Sequence, residues 1–230
     1  MPDFSLNIHK YKAIIFDLDG TLYDAHRLVF WITFCDILSF KYFKAERYVK
    51  KSLMGRDYGN FKEYDKAFGA LFGKLMGMSP EISRMWYHKF YTKHMVKVLQ
   101  KHFSLRPQVQ QIFTHLQKKG IKVAVFSDYC MVEERLEALG FDFGGSGIPN
   151  VMTSAEERGA LKPAPRPFGE IASELGVEPS QVLVVGDDEK SDGAGAKLSW
   201  MDFLQIRTKK QDHSLMSWET FSSLILNDLS

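Results

Sequence analysis

Three short runs of β-branched and aromatic residues constrain this chain most, because each one stops abruptly at a polar group. Lys12-Ala-Ile-Ile-Phe-Asp17 and Gln181-Val-Leu-Val-Val-Gly-Asp187 end at carboxylates, and Lys122-Val-Ala-Val-Phe-Ser127 ends at a hydroxyl. Runs this short, with no polar alternation, predict strands buried on both faces, as in a parallel sheet. Val151-Met-Thr-Ser154 and Asp202-Phe-Leu-Gln-Ile-Arg207 are two weaker strand candidates.

Helical patterns separate the runs. Val109, Ile112, Phe113 and Leu116 recur at helical spacing after Pro107 and before Gly120, and Met131–Leu139 ends at Gly140. Phe168, Ile171, Ala172 and Leu175 form another stripe closed by Gly176, and Trp218–Leu226 predicts a terminal helix. Strand and helix alternate from Ile121 to about Arg207, which predicts a doubly wound, Rossmann-like α/β sheet with right-handed crossovers.

Residues 24–103 break this alternation. They hold no strand pattern but several helical ones, including Ile82, Met85, Trp86 and Phe90 after a start at Ser79-Pro80. The segment carries 15 Lys and Arg against 7 Asp and Glu, although the whole chain is only +2. The expected organisation is therefore a core of residues 1–23 and 104–230 with an inserted α-helical domain, 24–103. Its aromatics, among them Phe30, Trp31, Phe34, Trp86 and Tyr87, are expected to pack between helices.

Composition, at 45% hydrophobic and 25% charged, is that of a soluble globular protein. No apolar run is long enough for a bilayer. Met1–Lys12 lacks the apolar middle of a secretory signal. Cys35 and Cys130 form no metal or redox motif and are expected as free thiols in the cytoplasm. No nucleic-acid motif accompanies the basic segment.

In an open α/β sheet, ligands bind outside the carboxyl ends of the strands. That edge would gather Asp17, Ser127 and Asp187, with Asp19, Thr21, Lys162, Asp188 and Asp192 nearby. Carboxylates with a lysine and hydroxyls suit a hard divalent cation, magnesium above all, and an anionic substrate.

Asp17-Leu-Asp-Gly-Thr-Leu22 resembles the first motif of the haloacid dehalogenase-like hydrolases. Phe126-Ser-Asp128 is similar to their second, Leu161-Lys-Pro163 to their third, and Gly186-Asp-Asp-Glu-Lys-Ser-Asp192 to their fourth. Four motifs in order make a specific signal. The insertion after the first is similar to the branch with a helical cap there.

The resemblance implies a magnesium-dependent phosphomonoester hydrolase acting through an aspartyl phosphate on a small phosphorylated metabolite. Asp17 would be nucleophile and metal ligand. Asp19 would be general acid and then base, its backbone carbonyl joining Asp187 as a metal ligand. Thr21, Ser127, Asp128 and Lys162 would bind the substrate phosphate, Lys162 also neutralising charge on the nucleophile. Asp192 would orient Lys162 or a metal-bound water, and Asp188 would share ligand duty with Asp187 or sit in solvent. Burial beside other negative groups is expected to raise the Asp19 pKa. The presence of Asp19 argues against the dehalogenase branch. Asp128, where many relatives have Asn, is a departure from the pattern.

The alternatives are a phosphomutase with the same motifs, a phosphonate hydrolase needing a cap lysine, and a non-catalytic phosphate-binding relative. A monomer or homodimer without membrane or nucleic-acid partners is expected.

Overall fold

The computed structural model describes residues 7–208 and 214–228. Of the polar N-terminal stretch, residues 1–6 lie outside the described residues. Five strands form one parallel sheet: β1 (Ala13–Phe16), β2 (Lys122–Ser127), β3 (Val151–Ser154), β4 (Val182–Gly186) and β5 (Asp202–Gln205). Their order is β3-β2-β1-β4-β5. The chain winds outward from β1 through β2 to β3, then returns to β1's other side with β4. The direction of winding reverses at β1, where such sheets place their ligands.

Register explains why the polar run-ends meet. Phe16 lies opposite Val125 of β2 and Val185 of β4. The residues just beyond, Asp17, Ser127 and Asp187, therefore emerge at one edge from three adjacent strands. β1 and β4 are buried along their whole length, as the unbroken apolar runs require. Both weaker candidates are strands as well, the last ending at Gln205.

Helices cover the two faces. α6 (Val109–Lys118) buries Val109, Ile112, Phe113 and Leu116 against the sheet. Phe16 meets Phe113 of α6 at 5.0 Å and Phe221 of α10 (Trp218–Asp228) at 6.0 Å between ring centres. Cutting Phe113 back to Ala would cost about 3–5 kcal/mol in lost burial and cavity. α7 (Val132–Ala138) joins β2 to β3. α8 (Arg166–Leu175) ends at Gly176 in the left-handed conformation, φ 63°, and its Phe168 packs edge-on against Phe126. α9 (Ala194–Leu198) links β4 to β5.

Between β1 and α6 the described elements are all helical: α1 (Leu28–Cys35), α2 (Phe40–Leu53), α3 (Phe61–Met76), α4 (Pro80–Trp86) and α5 (Thr92–His102). α3 starts where Asn60 accepts a hydrogen bond from the Glu63 amide and stops at left-handed Gly77. α4 starts where Ser79 accepts one from Ile82. Tyr87 is buried as expected, and Trp31 and Trp86 are half-buried. Phe30 and Phe34 are not core residues; they stack on each other on the solvent side of α1, 56% and 64% exposed. No helix among the described residues is long and apolar enough to cross a membrane. Both cysteines are free.

Candidate active site

The loop after β1 sets the geometry. Asp17 lies at its start, 6% exposed, and Gly20 turns the chain with φ 92°. A side chain at Gly20 would run into the Asp187 carboxylate, so glycine lets the first loop approach the fourth-strand loop closely. Arg106 fixes the far side, donating to the carbonyls of Thr21 at 2.9 Å and Gly20 at 3.1 Å.

Lys162 reaches this loop from the segment before α8. Its buried ammonium donates to Asp17 Oδ1 at 2.8 Å, Asp192 Oδ1 at 2.8 Å and the Phe126 carbonyl at 2.7 Å. All three ammonium protons are thus placed. Burial alone would lower its pKa, but Asp17, Asp192 and Asp128 raise it well above the usual lysine range.

Carboxylate oxygens of Asp17, Asp187 and Asp192 lie within 4.8 Å of one another. Burial pushes the Asp17 carboxyl up to about 8, with Lys162 pulling down and Asp192 and Asp19 pushing up. Burial, then Asp17 and Asp188, raises Asp187 to about 7. Asp17 Oδ2 and Thr21 Oγ1 are buried with no hydrogen-bond partner among the described residues. Orphaned buried oxygens are costly, and repelling carboxylates beside them are the donor set of a hard divalent cation. The residues fit such an ion. The Asp19 side chain takes no part in the cluster.

Asp19 instead faces a wholly buried arginine that the sequence motifs did not single out. Its Oδ1 accepts from Arg135 Nη2 and Tyr23 Oη, and its Oδ2 accepts from Ser127 Oγ at 2.9 Å. Arg135 Nη1 also donates to Ser127 Oγ at 2.9 Å and the Tyr129 carbonyl at 3.1 Å. The expectation of a raised Asp19 pKa is therefore corrected. Burial does act upward, but the Arg135 charge and the bonds from Arg135, Tyr23 and Ser127 hold this carboxyl below its usual range.

The remaining expected residues divide. Asp192 joins the cluster and braces Lys162. The Asp128 carboxylate accepts from the Lys162 backbone amide at 3.1 Å and so anchors the lysine loop. Asp188 is exposed and accepts from the Lys190 amide at 2.9 Å, the solvent alternative.

A second buried polar group borders the site. Glu156, in the turn after β3, pairs with Lys50 of α2 and accepts from Tyr64 at 2.9 Å, Tyr87 at 2.6 Å and the Cys130 amide at 2.9 Å. Lys50 also donates to the Asp128 carbonyl at 3.2 Å. This buried lysine of the helical segment is committed to an ion pair, not free as a Schiff-base nucleophile.

Comparison with known proteins agrees with the geometry. The family model described as haloacid dehalogenase-like hydrolase matches residues 11–199. A phosphoglycolate phosphatase of Aquifex aeolicus is 26% identical over 187 residues, 81% of this chain and 80% of that protein. A glyceraldehyde 3-phosphate phosphatase of Methanopyrus kandleri is 26% identical over 208 residues, 86% and 85% of the two chains. A crystal structure described as a predicted phosphoglycolate phosphatase from Haemophilus somnus 129PT superimposes with a TM-score of 0.60 at 19% identity. It covers 95% of this chain and 98% of its own.

Proposed function

This chain belongs to the haloacid dehalogenase-like hydrolases, and from that premise we propose a magnesium-dependent phosphomonoester phosphatase with Asp17 as nucleophile. The observation that carries it is the state of Asp17. One oxygen is held by Lys162, the other is buried with no partner among the described residues, and two more carboxylates stand close by. A carboxylate nucleophile splits the displacement into two halves.

In the first half, an Asp17 oxygen attacks phosphorus and the bond to the leaving-group oxygen breaks. The leaving oxygen takes a proton from Asp19, which must first gain that proton against the pull of Arg135. In the second, water attacks phosphorus, Asp19 takes its proton, and the bond from Asp17 to phosphorus breaks to give free phosphate. Phosphoryl transfer needs mainly positioning and charge stabilisation. Lys162 supplies charge at Asp17, and Ser127 and Thr21 supply hydroxyls for phosphate oxygens. Asp17, Asp187 and the Asp19 carbonyl would hold magnesium, with Asp192 beside them. When bound, the ion neutralises carboxylate and phosphate charge. Arg135, with Tyr23 and Ser127, fixes the Asp19 carboxylate in the ionised form the second half requires. In this reading residues 24–103 are the cap over a core of 1–23 and 104–230.

The reading is tested with a generic aryl phosphate. Activity is expected to vanish with chelator, return with magnesium and fall to background in Asp17→Asn. Full turnover by the metal-stripped protein would refute it.

A further inference from the structure

A cleft of about 600 Å³ opens between α1, α2 and the loop that follows β2. It shares a wall with the candidate site. Asp128, next to Ser127, and Leu161, next to Lys162, both line it. Lys50 lines it too, joined to the Asp128 carbonyl and lying over the Tyr129 ring at 4.1 Å.

The walls are apolar to a degree a small charged metabolite does not need. Val29, Phe40, Phe43, Tyr48 and Met54 line the cleft. Of these, Phe40 is 53% and Tyr48 65% exposed, large apolar surfaces left in water. Cavities of roughly 300–1,000 Å³ with mostly apolar linings accommodate ligands of many heavy atoms. At roughly 30 Å³ for each water-sized group, the five heavy atoms of a two-carbon acid such as glycolate fill about a quarter of the space. Lys44, Arg47 and Lys51 are exposed lining residues, and Asp128 is the one carboxylate among the lining residues, its side chain bonded to the Lys162 amide. Cations beside apolar walls match an anion attached to a hydrocarbon body. They disfavour a second copy of the same basic face.

We propose that the substrate is a phosphomonoester whose leaving group carries an apolar body of about six or more carbons. The body lies against Phe40, Phe43, Tyr48 and Met54, and the phosphate passes the Asp128–Leu161 wall to Asp17. Lys44, Arg47 and Lys51 draw the dianion to the mouth. The proposal rests on the phosphatase reading for turnover, but not for binding.

Full-length protein with magnesium is assayed on ethyl, butyl, hexyl and octyl phosphate, below micelle formation, and on phosphoglycolate. Burying each CH₂ contributes up to about 0.8 kcal/mol, so kcat/KM is expected to rise about two- to fourfold per CH₂ up to hexyl. Phosphoglycolate is expected to be a poor substrate. Tyr48→Ala and Phe40→Ala, both at exposed positions, are expected to flatten that slope. Calorimetry with octylphosphonate and ethylphosphonate, which cannot be hydrolysed, reads binding directly. Turnover that is flat with chain length, or highest for phosphoglycolate, overturns the apolar-body inference and leaves the phosphatase reading standing. No turnover of any ester, with octylphosphonate still bound more tightly and the preference lost in Tyr48→Ala, overturns the phosphatase reading alone. Neither turnover nor chain-dependent binding overturns both.

Discussion

The guanidinium of Arg135 is wholly buried and holds the carboxylate of Asp19 through Nη2, while its Nη1 holds Ser127 Oγ at 2.9 Å. One side chain thus fixes both the proposed acid–base group and the proposed phosphate-binding hydroxyl. Arg135→Met is expected to slow hydrolysis of the phosphoenzyme by about 10²-fold, the scale of a misplaced catalytic group, with Arg135→Lys recovering part of it. The magnesium-dependent rise in Tm is expected to persist, because Asp17 and Asp187 are untouched. Phosphoenzyme hydrolysis at the wild-type rate in Arg135→Met would remove Arg135 from this role. The reverse change costs stability: Asp19→Asn leaves a fully buried arginine without its counter-ion, a loss on the order of 3–5 kcal/mol.

Without the proposed metal, Asp17, Asp187 and Asp192 repel one another. In chelator, Asp17→Asn is therefore expected to melt above the wild type, since one of three crowded carboxylates is gone and Lys162 keeps Asp192. A ligand at 100 times its Kd stabilises by about 2.7 kcal/mol, so saturating magnesium should lift the wild-type Tm by several degrees. In Asp17→Asn the lift should fall below half of that. Equal magnesium shifts in the two proteins, read by scanning calorimetry, would place the ion elsewhere.

The parts of this site that were legible in the sequence are those fixed by strand ends. Asp17, Ser127 and Asp187 terminate apolar runs, and parallel register carries them to one edge without further information. Arg135 was not legible as a motif because its helix carries Glu133, Glu134 and Glu137 and reads as a solvated surface. A signal was nonetheless present. Arg135 sits on the face of Val132, Leu136 and Leu139, at apolar-stripe spacing, where a charge must find a buried partner. Glu46 and Lys50 interrupt the Phe43–Val49–Leu53 stripe of α2 in the same way. The partner of Lys50, Glu156, comes from a turn over 100 residues away, a pairing that only the folded chain reveals. The direction of the Asp19 shift failed for the same reason, since the nearest charge in space was a cation distant in sequence.

Glu46 gives a pH signature away from the proposed metal ligands. Burial raises its carboxyl to about 7 from 4.5, with Lys50 pulling down and Glu156 pushing up. The folded chain keeps this proton to a higher pH than the unfolded chain does. Its contribution to stability is therefore whole below about pH 4.5 and is lost as pH rises through about 7. Glu46→Gln cannot titrate. Its Tm is expected to equal the wild type near pH 4.5, to pull ahead as pH rises and to stop gaining past about 7. The final gap corresponds to an energy on the order of 3–4 kcal/mol. A gap independent of pH would mean that Glu46 is ionised throughout.

The fate of the phosphoryl group separates a phosphatase from a phosphomutase, and Asp17 and Asp19 give the two ends of the test. With labelled aryl phosphate, acid quenching of the wild type should trap a label on Asp17, located by peptide mapping. Asp17→Asn should trap none, because an amide oxygen is too poor a nucleophile to accept the group. Asp19→Asn should still form the adduct, since an aryl leaving group departs with little proton help. Its hydrolysis should then slow by about 10²–10⁴-fold, the usual worth of general acid–base assistance, so the labelled form accumulates. Stability is read alongside, because this variant strands Arg135; a folded Asp19→Asn that accumulates label cannot owe its slow turnover to unfolding. In the wild type, free phosphate should appear at the rate the ester disappears, with and without an added sugar alcohol. If the group passed mainly to the sugar at modest concentration, the mutase reading would replace this one. If label appeared on any residue but Asp17, the assignment of the nucleophile would fail whichever acceptor prevailed.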